Sequence, residues 1–150
     1  MAKFVYRMQN ILNIKQKLET QAKMTYSVAN QKYLEQQKIL QEYMVRRVGY
    51  EQHWKKLMQG NLNLQEVEHA RADVNAMKTI VRRQMVEVHK AEKELEDARN
   101  RLKTVMQERK VQEKLREKAF EEFKQELAEA ETKEIDELVS YTYNKGEQGE

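Results

Sequence analysis

Residues 59–66 read QGNLNLQE, a short stretch that interrupts an otherwise continuous helical pattern. Gly60 followed by Asn61 is a common way to end a helix, because both residues tolerate positive φ. Asn63, with Glu66 three positions later, has the spacing of a helix N-cap and its capping-box partner. A turn of about five residues makes the two flanking helices antiparallel neighbours. This stretch therefore predicts a helical hairpin.

Upstream of the turn, apolar and aromatic residues recur in steps of three and four, as in a helix that buries one stripe against a partner. The predicted stripe is Phe4, Met8, Ile11, Lys15, Leu18, Ala22, Tyr26, Ala29, Tyr33, Gln36, Leu40, Tyr43, Arg47, Tyr50, Trp54 and Leu57. Two consecutive four-residue steps between Leu18 and Tyr26 predict a stutter, which would locally unwind a supercoil. The first helix is expected over residues 4–58 and the turn over residues 59–63.

Downstream of the turn, the stripe keeps a strict three-four alternation. Its members are Val67, Ala70, Val74, Met77, Val81, Gln84, Val88, Ala91, Leu95, Ala98, Leu102 and Val105. We expect the small residues of this stripe to face the bulky Tyr and Trp of the first helix. The second helix is expected over residues 64–141, followed by a frayed tail over residues 142–150. Residues 1–150 thus read as a single all-α domain, an antiparallel two-helix coiled-coil hairpin with a longer C-terminal helix.

The composition fits long helices better than a thick globular core or a disordered chain. The 150 residues include no proline and 4 glycines, and 35% of them are charged. The absence of cysteine excludes a disulfide framework and a thiolate metal site. No stretch has the length and apolarity of a signal peptide or a membrane span, so a soluble cytoplasmic protein is expected.

The unequal helix lengths predict an overhang. Folding the chain at residue 61 would place Phe4 near residue 118, because each helical residue advances about 1.5 Å. Residues 119–141 would then project past the first helix. A lone amphipathic helix of this length is marginal in water, so the overhang is expected to bind a partner. Its apolar residues are Phe120, Phe123, Leu127, Ile135 and Leu138.

Charge is distributed in blocks of opposite sign. Residues 99–118 contain 8 Lys and Arg against 3 acids, whereas residues 119–150 contain 3 against 10. A nucleic-acid-binding protein is expected to keep one continuous basic face. Blocks of opposite sign fit pairing with each other better, so no nucleic acid is expected as a partner.

The sequence offers no catalytic constellation. Glu66 and His69 match the E-x-x-H pattern of di-iron bundles, but such sites need a second copy and further inward carboxylates. A solvated helix surface is the preferred interpretation of this pair. Gly-rich phosphate loops, G-x-S-x-G elbows and Cys/His pairs are lacking, and two helices provide no deep pocket. We therefore expect no enzyme activity, no metal and no cofactor.

Two terminal signatures carry a family resemblance. Residues 4–23, FVYRMQNILNIKQKLETQAK, resemble the opening of the flagellar export protein FliJ family. Residues 107–123, QERKVQEKLREKAFEEF, followed by AETKEIDEL at residues 130–138, are similar to its ending. The resemblance covers nearly the whole chain. It implies a component of the flagellar type III export apparatus, built like the central stalk of rotary ATPases.

The resemblance also implies partners and a location. The partners are the hexameric flagellar export ATPase, an export-gate membrane protein and the chaperones of flagellar substrates. The location is cytoplasmic, with peripheral association at the inner membrane of the flagellar base and no direct membrane insertion. The chain alone is expected to be monomeric.

Two sets of binding residues follow from the resemblance. The export-gate set comprises Gln36, Leu40, Tyr43, Arg47, Ala70, Val74 and Met77. At Arg47 the family pattern has an aromatic residue, and because all seven are stripe positions, core packing is the alternative role. The ATPase-ring set comprises Arg109, Lys110, Lys114, Arg116, Lys118, Phe120, Phe123 and Leu127. Its cations would meet acidic loops of the ring, and its apolar residues would enter the pore.

Two alternatives remain open at the level of sequence. One is a structural coiled-coil spacer that dimerises through the overhang. The other is the equivalent stalk of a virulence-type injectisome, which shares the mechanism but belongs to a different organelle.

Overall fold

The computed structural model describes residues 2–148, including the side chains of residues 2–146. Within that range it contains two α-helices and no strand: α1 (Gln9–Leu57) and α2 (Leu64–Gln148). The helices pack against each other, and α2 is the longer, with 85 residues against 49. The all-α hairpin with a longer C-terminal helix is therefore confirmed.

The first helix begins later than the expected start at Phe4. Residues 2–6 are extended, and the Gln9 N–H donates to the Tyr6 carbonyl at 3.1 Å to open α1. The stretch before Gln9 lacks the Ser, Thr, Asp or Asn that would cap a helix, and the first turn of α1 contains no acid. Since the observed start also lacks these groups, capping does not determine where α1 begins.

At the turn, Gly60 and the N-cap residue Asn63 take their predicted roles. Gly60 has φ +100°, the left-handed region in which a Cβ is disfavoured. The Asn63 side-chain oxygen accepts the Gln65 N–H at 3.1 Å, which caps the start of α2. The Val67 N–H donates to the Asn63 carbonyl at 3.0 Å and closes the first helical turn.

The second helix extends beyond the expected end at residue 141. Residues 142–148, which were expected to fray, are helical, and the expected tail residues 149–150 lie outside the described range. This stretch contains no proline, and a single helical glycine such as Gly146 costs only about 1 kcal/mol relative to alanine. Nothing in the local sequence therefore ends the helix at residue 141.

The chain divides into two compact units. We call residues 20–104 the turn unit, and residues 2–19 with residues 105–148 the terminal unit. Each unit contains parts of both helices.

The turn unit has an apolar core of mainly small residues. Val74 and Val81 are each 1% exposed, and the predicted α2 stripe accounts for most of the buried positions. The buried apolar residues of this unit are Ala22, Ala70, Val74, Met77, Val81, Ala91, Leu95 and Ala98. The predicted α2 stripe is therefore confirmed in this unit.

The terminal unit shows where the predicted α1 stripe was wrong. Met8 and Ile11 are exposed, whereas Leu12 and the charged residue Glu19 are buried. When Glu19 is taken as the stripe position and Leu18 is not, the steps from Leu12 to Tyr26 alternate between three and four residues, and the predicted stutter disappears. Hydrophobic pattern favoured Leu18 because a carboxylate is rarely buried unless it is paired. Its partner, Arg109, lies 90 positions away in sequence.

Candidate partner-binding sites

Arg109, assigned to the ATPase-ring set, is engaged within the terminal unit. Its guanidinium forms an ion pair with Glu19 and a second one with Glu113, where Nη1 lies 2.8 Å from Oε2. The hydrogen bond to Glu113, and then that to Glu19, raise the pKa of Arg109 above its ordinary value. The side chains of Arg109 and Glu19 are only 19% and 9% exposed. Arg109 therefore joins the two helices in this unit.

Arg116 is also held internally. Its Nε donates to Gln9 Oε1 at 2.9 Å, and its guanidinium carbon lies 5.7 Å from the centroid of the Phe4 ring. The other cations of the ATPase-ring set, Lys110, Lys114 and Lys118, are exposed. Of the five predicted cations, these three lysines are the ones most available to a partner.

The expected overhang is partly covered, which corrects its predicted start. The Phe4 ring lies 5.0 Å from the Phe120 ring and 5.5 Å from the Phe123 ring, measured between centroids. Ala2 lines a shallow concavity with Leu127. An extended residue advances about 3.3 Å, against about 1.5 Å in a helix, so the five extended residues reach further along α2 than a helix would. Phe120, Phe123 and Leu127 therefore lie beside the N-terminal segment.

Beyond this contact, α2 is open to solvent. All residues from 124 to 146 are exposed, and they contain three lysines against six acids. The exposed large apolar side chains beyond Leu127 are Ile135, Leu138, Val139, Tyr141 and Tyr143. This stretch, which we call the free segment (residues 124–146), combines apolar side chains with strong negative charge.

The export-gate set lies mainly in the core of the turn unit. Gln84, 8% exposed, donates from Nε2 to the Gln36 carbonyl at 3.0 Å and to Gln36 Oε1 at 2.7 Å. Leu40 and Tyr43 are half-buried, and Arg47 forms an ion pair with Glu51 at 3.0 Å. The first-helix members therefore take part in packing between the helices or along α1.

The second-helix members of the export-gate set are less accessible. Ala70, Val74 and Met77 are 4%, 1% and 7% exposed. A partner could touch them only if the two helices separated in this unit. Their arrangement in this structure is that of core residues.

Two surface concavities of the turn unit were missed by sequence reasoning. One of about 450 Å³ is lined by Tyr43 with Ile80, Arg83 and Glu87, among others. Ile80 is an exposed apolar residue beside the stripe position Val81, and it was the feature of the sequence that could have predicted this concavity.

The second concavity, of about 700 Å³, lies beside the small stripe residues Ala29 and Ala98. Met24 and Val28 line it and are exposed. Small residues in a stripe leave room at the helix surface. The apolar residues Met24 and Val28, which lie outside the stripe, were the feature of the sequence that could have predicted this concavity.

Two further features concern possible metal ligands and membrane-spanning helices. Within residues 2–148, no group of three or more His, Cys, Asp and Glu is placed to hold a metal ion. No helix in that range is both long and apolar enough to cross a bilayer.

The geometry defines a class of protein, the all-α helical hairpin, whose two helices pack against each other. The family described as flagellar FliJ protein matches residues 4–148, and the chain belongs to this family. Membership makes it a protein associated with type III export, and the sequence-based family assignment is confirmed.

Structural similarity supports the same fold. A solved structure described as a YscO homolog, CT670 from Chlamydia trachomatis, superposes with a TM-score of 0.69 at 19% identity. The match covers 99% of this chain and 100% of that one. None of the curated proteins compared with the chain matches it.

Proposed function

We propose that this protein is a non-enzymatic stalk and escort component of the flagellar type III export apparatus. It binds the hexameric export ATPase through the terminal unit and promotes assembly and activity of the ring. Family membership supports the assignment to flagellar export. The unequal helices support the stalk role, because a stalk needs one helix that reaches further into the ring.

The observation that carries this proposal is the free segment. Its side chains are exposed, and it presents Ile135 and Leu138, 60% and 64% exposed, to solvent. A single amphipathic helix is stable chiefly when its apolar face packs on something. Binding inside a ring supplies such packing from several sides.

The exposed lysines beside the free segment provide the electrostatic part of the interface. Lys110, Lys114 and Lys118 recur every four residues and so lie on one face of α2. They are available to acidic loops of the ring. Arg109, Arg116 and Phe4 act indirectly. Arg109 pairs with Glu19 and Arg116 donates to Gln9, which holds α1 against α2, and the Phe4 ring packs against Phe120.

The turn unit provides the export-gate contact in this proposal. The concavity lined by Tyr43, Ile80, Arg83 and Glu87 offers apolar and charged groups at the surface. Tyr43→Asp is expected to weaken binding to the cytoplasmic part of the gate protein, whereas Val86→Ser, which also lines the concavity, serves as a milder comparison.

Chaperone binding is assigned to the second concavity of the turn unit. Met24 and Val28 would pack against an apolar helix face, and the Lys32–Glu94 ion pair at 3.1 Å borders the site. Met24→Asp with Val28→Asp should abolish co-elution with a purified substrate chaperone. Retained co-elution would move the escort site elsewhere.

The ATPase proposal is tested by charge reversal. Lys110→Glu, Lys114→Glu and Lys118→Glu together should weaken binding to the purified export ATPase, and with it stimulation, by about 3-fold to about 160-fold, since each exposed ion pair contributes about 0.2–1 kcal/mol. The matched control reverses three exposed lysines of the turn unit, Lys38, Lys93 and Lys103. Equal loss in both variants would indicate a nonspecific charge effect.

Truncation tests the free segment itself. Removal of residues 124–150 should abolish stimulation, while the helicity of the remaining residues stays intact by circular dichroism. Unchanged stimulation after this truncation would overturn the stalk proposal. Light scattering addresses the spacer alternative, because a stable dimer that becomes monomeric on truncation would favour dimerisation through this segment. Six acids in residues 125–144 disfavour such self-association.

A second candidate is the injectisome stalk, favoured by the full-length fold match to the YscO homolog. The discriminating assay adds the same preparation to an export ATPase of each system. Preferential stimulation of the flagellar enzyme is expected. Preferential stimulation of the injectisome enzyme would reassign the organelle and leave the stalk mechanism in place.

A further inference from the structure

The turn between the helices is unusually apolar. Met58, Leu62 and Leu64 are 53%, 59% and 75% exposed. Exposed turns are normally built from polar residues and glycine, as at Gly60 and Asn61. Single exposed apolar residues need no explanation, but three within seven positions form a patch that indicates an interaction site. We call residues 58–64 the turn tip.

The charges next to the turn tip differ between the two helices. Residues 52–65 contain Lys55 and Lys56 and no acid. Both lysines are exposed and lie in the last turn of α1, where cations are favoured by the helix dipole. The nearest acids on the other side are Glu66 and Glu68, followed by Arg71. The tip therefore presents its apolar groups next to positive charge on the α1 side and next to negative charge on the α2 side.

An indole lies directly behind the tip. Trp54 is half-buried, one helical turn before Met58, and its Nε1 is buried with no hydrogen-bond partner among the described residues. A buried indole N–H normally finds an acceptor, and tryptophan is enriched where one end of the ring is apolar and the other is wet. Trp54 is also the single tryptophan of the chain.

We propose that the turn tip binds the surface of an anionic lipid bilayer. Leu62 and Leu64 insert at the boundary between headgroups and acyl chains, and Lys55 and Lys56 contact lipid phosphates. An apolar patch alone would equally fit a protein pocket. The small surplus of positive charge around the tip, with Lys55, Lys56 and Arg71 against Glu66 and Glu68 in residues 52–71, favours the anionic lipid surface.

This inference goes beyond the export function and does not depend on it. Lipid binding requires only the turn tip, whereas ATPase stimulation is assigned to the terminal unit. Lipid binding at the turn tip would provide the peripheral membrane association that the family resemblance implies, through side chains that enter the bilayer surface from one side. A failure of lipid binding would therefore leave the ATPase proposal standing, and a failure of ATPase stimulation would leave the lipid proposal standing.

The experiment uses the full chain and vesicles of phosphatidylcholine with and without phosphatidylglycerol. Flotation should recover the protein with the anionic vesicles and not with the neutral ones, and added salt should reduce recovery. Emission of Trp54 should shift to the blue on binding, because the indole moves into a less polar surrounding. No flotation and no shift with anionic vesicles would overturn the proposal.

Variants separate the two parts of the interaction. Leu62→Asp with Leu64→Asp should abolish flotation. Lys55→Gln with Lys56→Gln should weaken it about 25-fold, since each cation near an anionic surface contributes a factor of about five.

Matched controls lie far from the turn. Ile135→Asp with Leu138→Asp changes two side chains of similar exposure, and Lys90→Gln with Lys93→Gln removes two exposed charges. Both control variants should bind vesicles as the unaltered chain does. Equal losses in tip and control variants would contradict a specific tip.

A protein partner at the tip is the competing outcome. Tip variants that bind vesicles normally but lose binding to the soluble part of a membrane protein would overturn the lipid assignment and identify the tip as a protein site.

Discussion

The turn unit and the terminal unit are built from the same two helices but are stabilised differently. The turn unit buries a run of Ala and Val side chains, with Val74 and Val81 1% exposed. The terminal unit buries Leu12 and Val105 together with the charged side chain of Glu19. Apolar burial supplies stability without direction, whereas an ion pair requires a particular partner at a particular place. We infer that the turn unit carries most of the stability and that the terminal unit carries most of the pairing specificity.

The largest expected effect is on the apolar core of the turn unit. Val81→Asp should lower the free energy of unfolding by more than about 3 kcal/mol, because it places an unpaired carboxylate at a 1% exposed position. Urea titration followed by circular dichroism measures this change. Val86→Asp, at a 53% exposed position on the same helix, should change it by no more than about 0.5 kcal/mol. Similar losses for both variants would show that Val81 is not a core residue.

The next effect concerns the Glu19–Arg109 pair. Arg109→Met alone should destabilise the protein more than Arg109→Met combined with Glu19→Leu, because the single change removes the ion pair between the helices from a carboxylate that stays buried. Thermal melts of the two variants give the comparison. A double variant less stable than the single one would mean that the charge of Glu19 has another essential partner.

The contribution of Arg109 should not depend on pH near neutrality. Its folded-state pKa is raised by the hydrogen bonds to Glu113 and Glu19, so the stabilisation is fully present below the unfolded-state pKa and is lost only as pH rises through the folded value. The difference in melting temperature between the unaltered chain and Arg109→Met should therefore stay constant between about pH 6 and pH 10.

A third effect concerns the N-terminal segment. Phe4→Ala should lower the free energy of unfolding by about 1–2 kcal/mol, less than a fully buried phenylalanine would, because Phe4 is half-buried between Phe120 and Arg116. Hydrogen exchange should increase at residues 9–12, where α1 begins. Val5→Ala, at a neighbouring position that is 78% exposed, is the control and should leave exchange unchanged.

Local chemistry made the helices and the turn predictable from sequence. Gly60 and Asn63 act through their own backbone and side chain, and the α2 stripe repeats at the helical period over many turns. Such features depend on neighbours within a few residues. The start of α1 at Gln9 was missed because residues 2–6 gain their contacts from distant residues such as Phe120 and Phe123.

The candidate sites were less predictable, because they also depend on contacts between residues that are distant in sequence. A charged residue in a stripe, such as Glu19, is recognisable only when its partner is known, and Arg109 lies in the other helix. Counting back from Tyr26 in steps of four and three gives Ala22 and then Glu19. Leu18 was preferred because leucine is hydrophobic and glutamate is charged. Residues beside the stripe, such as Ile80, determine the surface of the pair, whereas pattern analysis selects the stripe itself.

The smallest effect concerns the polar contact within the apolar core of the turn unit. Gln84→Leu should change the free energy of unfolding by no more than about 1 kcal/mol, because Leu gains apolar burial while the half-buried acceptors of Gln36 can bind water instead. Urea titration provides the measurement, with Val81→Leu as a control for added side-chain volume. A loss above about 3 kcal/mol would show that this hydrogen-bonded pair stabilises the turn unit as strongly as its apolar residues do, and the contrast between the two units would then disappear.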